Sequence, residues 1–290
     1  MSTKKFGVML AKEYSPAKIT KWDDIVIEPK LDGVRVIITV DSRDRIKFFS
    51  RNGRELTMFG HLERTIIEAC RLLRKSSSEF MDGTMFDGEM VGDTFGEIAG
   101  AIHRKKHTEY KARFFCFYAM PLIYFRNGSD TISQGDRYDV TMVRLRRSFY
   151  SHEFKIVNPV RVSSHNDIVA FYDNLRDDGY EGAIVKDYAR PWVAMRSGAW
   201  MKMKAELTVD VRVKAMREGT GKYKGTLGAL VVDHSGVDVK VSGMSDEQRH
   251  QFWGKPKKIL GKMIEVSYQE ETVHGSLRHP RFMRLRPDKE

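Results

Sequence analysis

"EPKLDGVR", residues 28–35, sets one lysine between an apolar run, DIVIEP, and an Asp-Gly connection, with an arginine three residues past the aspartate. A lysine at the end of a strand is ordinarily a solvated charge. Here it heads a pattern, K-x-D-G-x-R, and further stretches follow in a definite order: SRNG (50–53), FDGEMV (86–91), EGAIVK (181–186), WMKMK (200–204) and RFMRLRPDK (281–289). Outward from Lys30, runs rich in Val, Ile and Phe recur in DIVIEP, VRVIITV and IKFFS, separated by short Asp, Gly and Asn turns. The first hundred residues therefore read mostly as antiparallel strands, with Asp32-Gly33 as a hairpin turn beside Lys30.

Helices interleave with these strands. In HLERTIIEACRLLRK the positions Leu62, Ile66, Ala69 and Leu73 share one helical face, and in NDIVAFYDNLRDDG so do Ile168, Phe171 and Leu175. RKSSSE (74–79) reads as a polar loop. After WMKMKAEL the texture changes to short strands at close spacing, VDVRVKAM, TLGALVVD, VDVKVSG and KMIEVSYQEE, linked by Gly-rich turns. This places a boundary near Ala205 to Thr208, with about eighty residues beyond it, a fitting size for a five-stranded oligonucleotide-binding barrel. The fold class is α+β followed by a small β-barrel.

Composition narrows the partner. Lysine and arginine outnumber aspartate and glutamate 50 to 39, a net charge of +11 that suits a polyanion, nucleic acid first. The only cysteines, Cys70 and Cys116, are far apart, which leaves neither a disulfide framework nor a zinc finger. The amino terminus lacks the apolar core of a signal peptide. The longest apolar run, FFCFYAMPLIYF (114–125), is interrupted by Pro121 and too short for a bilayer. An intracellular protein with no membrane partner is expected.

Taken together, the six stretches resemble the nucleotidyltransferase motifs of ATP-dependent DNA ligases, and EETVHGSLRHPRF resembles the carboxyl end of the short phage enzymes. The resemblance covers nearly the whole chain. It implies an adenylation (nucleotidyltransferase) domain over residues 1–206 and an OB-fold domain over residues 207–290. It also implies nicked duplex DNA as substrate, ATP and magnesium (or manganese) as cofactors, a monomer, and a cytoplasmic location, the host's if the gene is a phage's. The chemistry follows from the residues. Sealing a nick needs an activated 5′-phosphate, and an enzyme that carries AMP to it needs a nucleophile whose bond is stable enough to wait and labile enough to transfer. A lysine phosphoramidate meets both conditions, so Lys30 is the expected nucleophile. It must be neutral to attack, which nearby cations favour.

Strand alternation points Lys202 and Lys204 the same way, about 6 to 7 Å apart, matching successive phosphates, and Lys186 joins them. Ile184 shares a face with Lys186, so it can floor the adenine. The resemblance implies Tyr118 as the aromatic ceiling, with Phe117 as the alternative, and Glu28 and Arg196 among the nucleotide contacts. It matches Glu181 to a metal ligand and Glu89 to a ribose contact. Simple alternation aims Glu181 away from Ile184, which a bulge at Gly182 would relieve. Asp32 orients Lys30 or a metal, or serves only its turn; Arg35 and Arg51 suit ribose and phosphate. At the carboxyl end Arg286, Asp288 and Lys289 match a closing motif implied to orient pyrophosphate as a lid, which requires a hinge near residues 205–209. Arg51, Arg281, Arg284 and the loop lysines Lys222 and Lys224 are candidate DNA contacts. Rival readings are an mRNA capping guanylyltransferase, an RNA ligase and a non-catalytic OB-type binding module. Lys30 together with both lysines of WMKMK argues against the last.

Overall fold

A computed structural model describes residues 6–103, 110–204, 206–272 and 274–289. The chain divides into two compact units between Met203 and Lys204. Ala205, inside the expected boundary, lies outside the described residues.

The strands of the first unit, in chain order, are β1 (Leu10–Glu13), β2 (Ile25–Lys30), β3 (Val34–Asp41), β4 (Ile46–Ser50), β5 (Glu55–Leu56) and β6 (Gly83–Val91). Then come β7 (Arg113–Pro121), β8 (Phe154–Ile156), β9 (Val160–Val162), β10 (Gly182–Asp187) and β11 (Arg196–Lys204). They form two sheets, ordered β1-β11-β10-β2-β9 and β5-β4-β3-β6-β7-β8. β2 and β3 therefore lie in different sheets, and Leu31 to Gly33 is a crossover, not the hairpin expected from Asp-Gly. Gly33 is required by close approach: a Cβ there would lie 2.4 Å from the Met90 carbonyl oxygen of β6.

Period-two alternation sorts each sheet into faces. In the first, Ile25, Ile27, Ala183, Val185 and Met201 turn to a core closed by Ile168 and Leu175 of helix His165–Asp177. That helix begins where the Ser164 side chain accepts a hydrogen bond from the Asp167 N–H. The opposite face carries Glu28, Lys30, Ile184, Lys186, Trp200 and Lys202. In the second sheet Val36, Ile38, Phe86, Phe114 and Cys116 pack on Ile66, Ala69 and Leu73 of helix Glu63–Ser76. This helix takes in the start of RKSSSE, and Ser78–Phe80 continues as a 3-10 turn, so that stretch is less loop than expected. All three helix residues are fully buried, and truncating Leu73 to Ala should cost about 2–5 kcal/mol. The other face of this sheet carries Ile37, Met85, Tyr118 and Met120, packed with Trp192 and Trp200. Arg35, Asp87 and Glu89 fall on that face too. The two charged faces thus belong to the same layer, with an aromatic core beside them.

The second unit comprises β12 (Leu207–Glu218), β13 (Leu227–His234), β14 (Val237–Val241), β15 (Met263–Tyr268) and β16 (Arg281–Leu285), ordered β14-β13-β12-β15-β16. Its edge strands meet through one parallel bridge, Ser242 with Arg281, where the Phe282 N–H donates to the Ser242 carbonyl at 2.7 Å. The ladder closes at this point and not along a run of pairs. Inside lie Val211, Val213, Leu230, Val232, Ile264, Val266 and Phe282, with Phe252 from helix Asp246–Gly254. Ser245 and Gln248 cap that helix reciprocally. Among the described residues no helix is long and apolar enough to cross a membrane.

Candidate active site

Lys30 is the last residue of β2, opposite Gly182 at the start of β10. The antiparallel register carries the neighbouring residue, Glu181, to it, and the Lys30 Nζ donates to a Glu181 carboxylate oxygen. The β2–β10 register is unbroken from Gly182 to Asp187, so no bulge turns Glu181 inward. Its place just outside the strand does so.

Two residues back along β2, Glu28 stands opposite Ile184, and its Oε2 lies 2.6 Å from the Lys186 Nζ. Both side chains are almost wholly buried. Burial pushes the Glu28 carboxyl up, opposed by Lys186 and by the Tyr188 hydroxyl, and pushes the Lys186 ammonium down, opposed by Glu28. Aromatic faces share the charge: Nζ is 4.4 Å from the Trp200 ring centroid and 4.9 Å from that of Phe117.

Arg35 forms the facing wall. Its Nε and Nη2 donate to the two Asp87 oxygens at 2.8 and 2.6 Å, its Nη1 to the Met9 carbonyl, and its guanidinium lies 5.3 Å from both the Phe117 and Trp200 rings. Much of its fork is thus committed to holding the wall. Glu89 is paired with Arg35 across β3 and β6. Its partly buried carboxyl is pushed up to about 8, first by desolvation and then by Glu181 and Asp87, against the pull of Lys30 and Arg35.

Of the two aromatic candidates, it is Phe117 whose ring meets the Arg35 and Lys186 side chains. β7 bulges here: Gly88 pairs with Cys116 and Asp87 with Tyr118, leaving Phe117 without a partner in the ladder and turned to the same side as Tyr118. Gly88 admits the bulge, since a Cβ there would lie 2.4 Å from the Phe115 carbonyl oxygen. Tyr118 is 2% exposed, stacked on Trp192, and donates its hydroxyl to Asp130 at 2.8 Å, so its ring is unavailable to a ligand.

Of the remaining candidates, Lys202 shares the face of Lys186 and Trp200 and pairs with Glu13 at 2.9 Å. Lys204 ends the same strand. Asp32 is half-buried in the crossover, and Arg51 is exposed on the turn after β4, next to Arg35 in the sheet order. Arg196 is exposed and donates to the Ala11 carbonyl at 2.6 Å. In the second unit the closing motif is paired with its own Asp288 and with acids of other strands. Arg286 contacts Asp288 at 2.8 Å and Asp210 at 3.0 Å, Arg284 contacts Glu265 at 2.5 Å, and Lys289 contacts Asp210 at 3.6 Å. The basic tail read from sequence is therefore an ion-pair network. Arg281 is exposed, as are Lys222 and Lys224, with the Lys222 Nζ 4.5 Å from the Tyr223 ring. The sequence reading missed Asp87 and Trp200, although alternation from Glu89 and from Lys202 leads directly to each.

A strand-end lysine touching a carboxylate, with a buried lysine and an arginine against two aromatic faces, sets a nucleophile beside groups able to meet the phosphates and base of a nucleotide. Residues 8–204 match the ATP-dependent DNA ligase domain and residues 218–286 the DNA ligase OB-like domain. The DNA ligase of Escherichia phage T7 is 26% identical, over 90% of this chain and 89% of that protein. Among solved structures, Pmar-Lig_Pre superposes with a TM-score of 0.83 at 27% identity, over 98% of this chain and 68% of that one. The ATP-dependent DNA ligase of bacteriophage T7 in complex with ATP superposes with a TM-score of 0.59 at 23% identity, over 99% of this chain and 100% of that one, which speaks for the fold. The chain belongs to the ATP-dependent DNA ligase family. Its activity is that family's, and the capping-enzyme and non-catalytic readings are not favoured.

Proposed function

We propose that Lys30 is the nucleophile and that the chain seals nicks in duplex DNA through a Lys30-AMP intermediate. The contact between Lys30 and Glu181 carries this reading: the ammonium sits against the carboxylate that can take its proton. The neutral Nζ then attacks the α-phosphorus of ATP, an N–P bond forms, the α–β phosphoanhydride P–O bond breaks, and pyrophosphate leaves with the electron pair. Lys186 and Lys202 offset phosphate charge, and Arg286 and Lys289 orient the pyrophosphate. Ile184 and Phe117 take the adenine between them, and Glu28, Arg35 and Arg196 hold the nucleotide from its edges. In the second step the 5′-phosphate of the nick attacks the adenylate and frees Lys30; in the third the 3′-hydroxyl displaces AMP. Lys204 serves phosphate as Lys202 does. Arg51, Arg281, Arg284, Lys222 and Lys224 meet the DNA backbone.

Magnesium fits the donor set. Glu181 and Glu89 are hard oxygen donors close enough to perturb one another, and this ion takes few protein ligands alongside phosphate and water. Glu181 would hold it; when bound it supplies neutralisation of phosphate charge. The test is incubation with α-labelled ATP, then addition of nicked duplex. Acid-stable label on a Lys30 peptide that chases onto DNA is expected. Label from GTP alone, or label that never leaves the protein, would overturn the reading.

A further inference from the structure

The cross-strand row that contains the site does not stop at Glu89. Arg35 pairs with Glu89, Glu89 with Phe115, and Phe115 with Lys155, so one line of side chains crosses β3, β6, β7 and β8 on a single face. Adjacent strands lie about 4.8 Å apart, which puts Lys155 roughly 10 Å beyond Glu89, at the sheet edge. Arg113 stands two residues before Phe115 on the same face of β7, its guanidinium 5.9 Å from the Phe115 ring. The Lys155 Nζ lies 5.2 Å from the ring of Tyr150, which is 78% exposed.

Packing does not account for this row. Phe114 and Cys116, on the other face, belong to the core under helix Glu63–Ser76, and the aromatic core of the site face takes in Phe117 and Tyr118. Phe115 belongs to none of the apolar cores and is half-buried. Glu153 shares the face with Lys155, yet the two cations, the half-buried phenylalanine and the exposed tyrosine leave a surface suited to a phosphate chain and the apolar C–H edges of its sugars. Being continuous with the site, it can hold the same substrate.

We infer that the face of β7 and β8 carries the sugar–phosphate backbone of the nicked duplex away from Glu89, with Arg113 and Lys155 against phosphates and Phe115 against a deoxyribose. This rests on the ligase reading. The test compares the parent chain with R113Q/K155Q and R113E/K155E, in self-adenylation without DNA and in nick binding by fluorescence anisotropy across a salt series. Loss of two phosphate contacts should weaken binding by roughly tenfold at moderate salt and lower the log-log salt slope by about two units. Adenylation and the thermal midpoint should stay at parental values, and the charge-reversed variant should bind more weakly still. Parental slopes in both folded variants would overturn the inference and leave the ligase reading standing. A parent chain that forms no adduct and binds no nick would sink both.

Discussion

Two groups of cations in this protein have opposite surroundings. Around Lys30, the charges of Lys186 and Arg35 are desolvated, each with a buried carboxylate and the faces of Phe117 and Trp200. In the second unit Arg284, Arg286 and Lys289 pair with Asp210, Glu265 and Asp288 near the surface, where water and salt compete. The difference lies in what removing one partner does. A buried pair leaves an uncompensated charge behind, whereas an exposed pair re-solvates. The first group is therefore built into the fold, and the second can exchange its carboxylates for phosphate.

The largest expected effect lies at the point where this contrast becomes chemistry. Lys30→Ala and Lys30→Arg should both abolish adduct formation, because arginine cannot present a neutral nitrogen at working pH; intact-mass spectrometry decides it. An adduct in either variant would move the nucleophile elsewhere. Next comes the buried pair. Lys186→Met should cost about 3–5 kcal/mol by leaving Glu28 charged and buried, while Lys186→Met with Glu28→Leu should recover most of the stability and none of the adenylation. Denaturant titrations that show both variants equally destabilised would erase the distinction between the groups.

Arg286→Ala should then lower adenylation by about 10²-fold with little change in the denaturation midpoint, since Asp288 is exposed and Asp210 and Glu265 keep Lys289 and Arg284 as partners. A shifted midpoint would place Arg286 among the structural pairs.

Glu89 sharpens the comparison through pH. Its carboxyl is held up to about 8 in the folded protein, against ~4.3 for an unperturbed glutamate. The folded state thus keeps a proton that the unfolded chain releases, and stability falls as pH rises from about 4 to about 8. Glu89→Gln should remove that slope, gaining on the parent across the window, as read by melting at several pH values. The smallest effect is at Asp288, whose carboxyl Arg286 holds down to about 2. Its contribution is present above ~4 and is lost as pH falls through about 2, so nothing changes near neutrality. An NMR titration should show the low midpoint, and Arg286→Ala should return it towards the ordinary carboxylate range.

Much of this molecule was legible in the chain alone. The strand-rich first half, the helix faces at Ile66 and Ile168, the change of texture near residue 205 and the ordered motifs all follow from periodicity and residue type, which act within a few residues. Alternation alone puts Lys186 with Ile184 and Lys202 with Trp200. What the tertiary structure decided is whatever depends on two distant strands meeting. Asp32-Gly33 looks locally like a hairpin, yet Gly33 is there because β6 passes against it. A one-residue bulge put Phe117 and Tyr118 on the same face, which propensity does not register, and the partners of Tyr118, Trp192 and Asp130, then took its ring into the core. Glu181 reaches Lys30 across 151 residues of chain, and Asp210 and Glu265 meet Arg286 in the same way. A sequence names the charged residues, but which charges are neighbours is a property of the register between strands, and register is settled only when the sheets form.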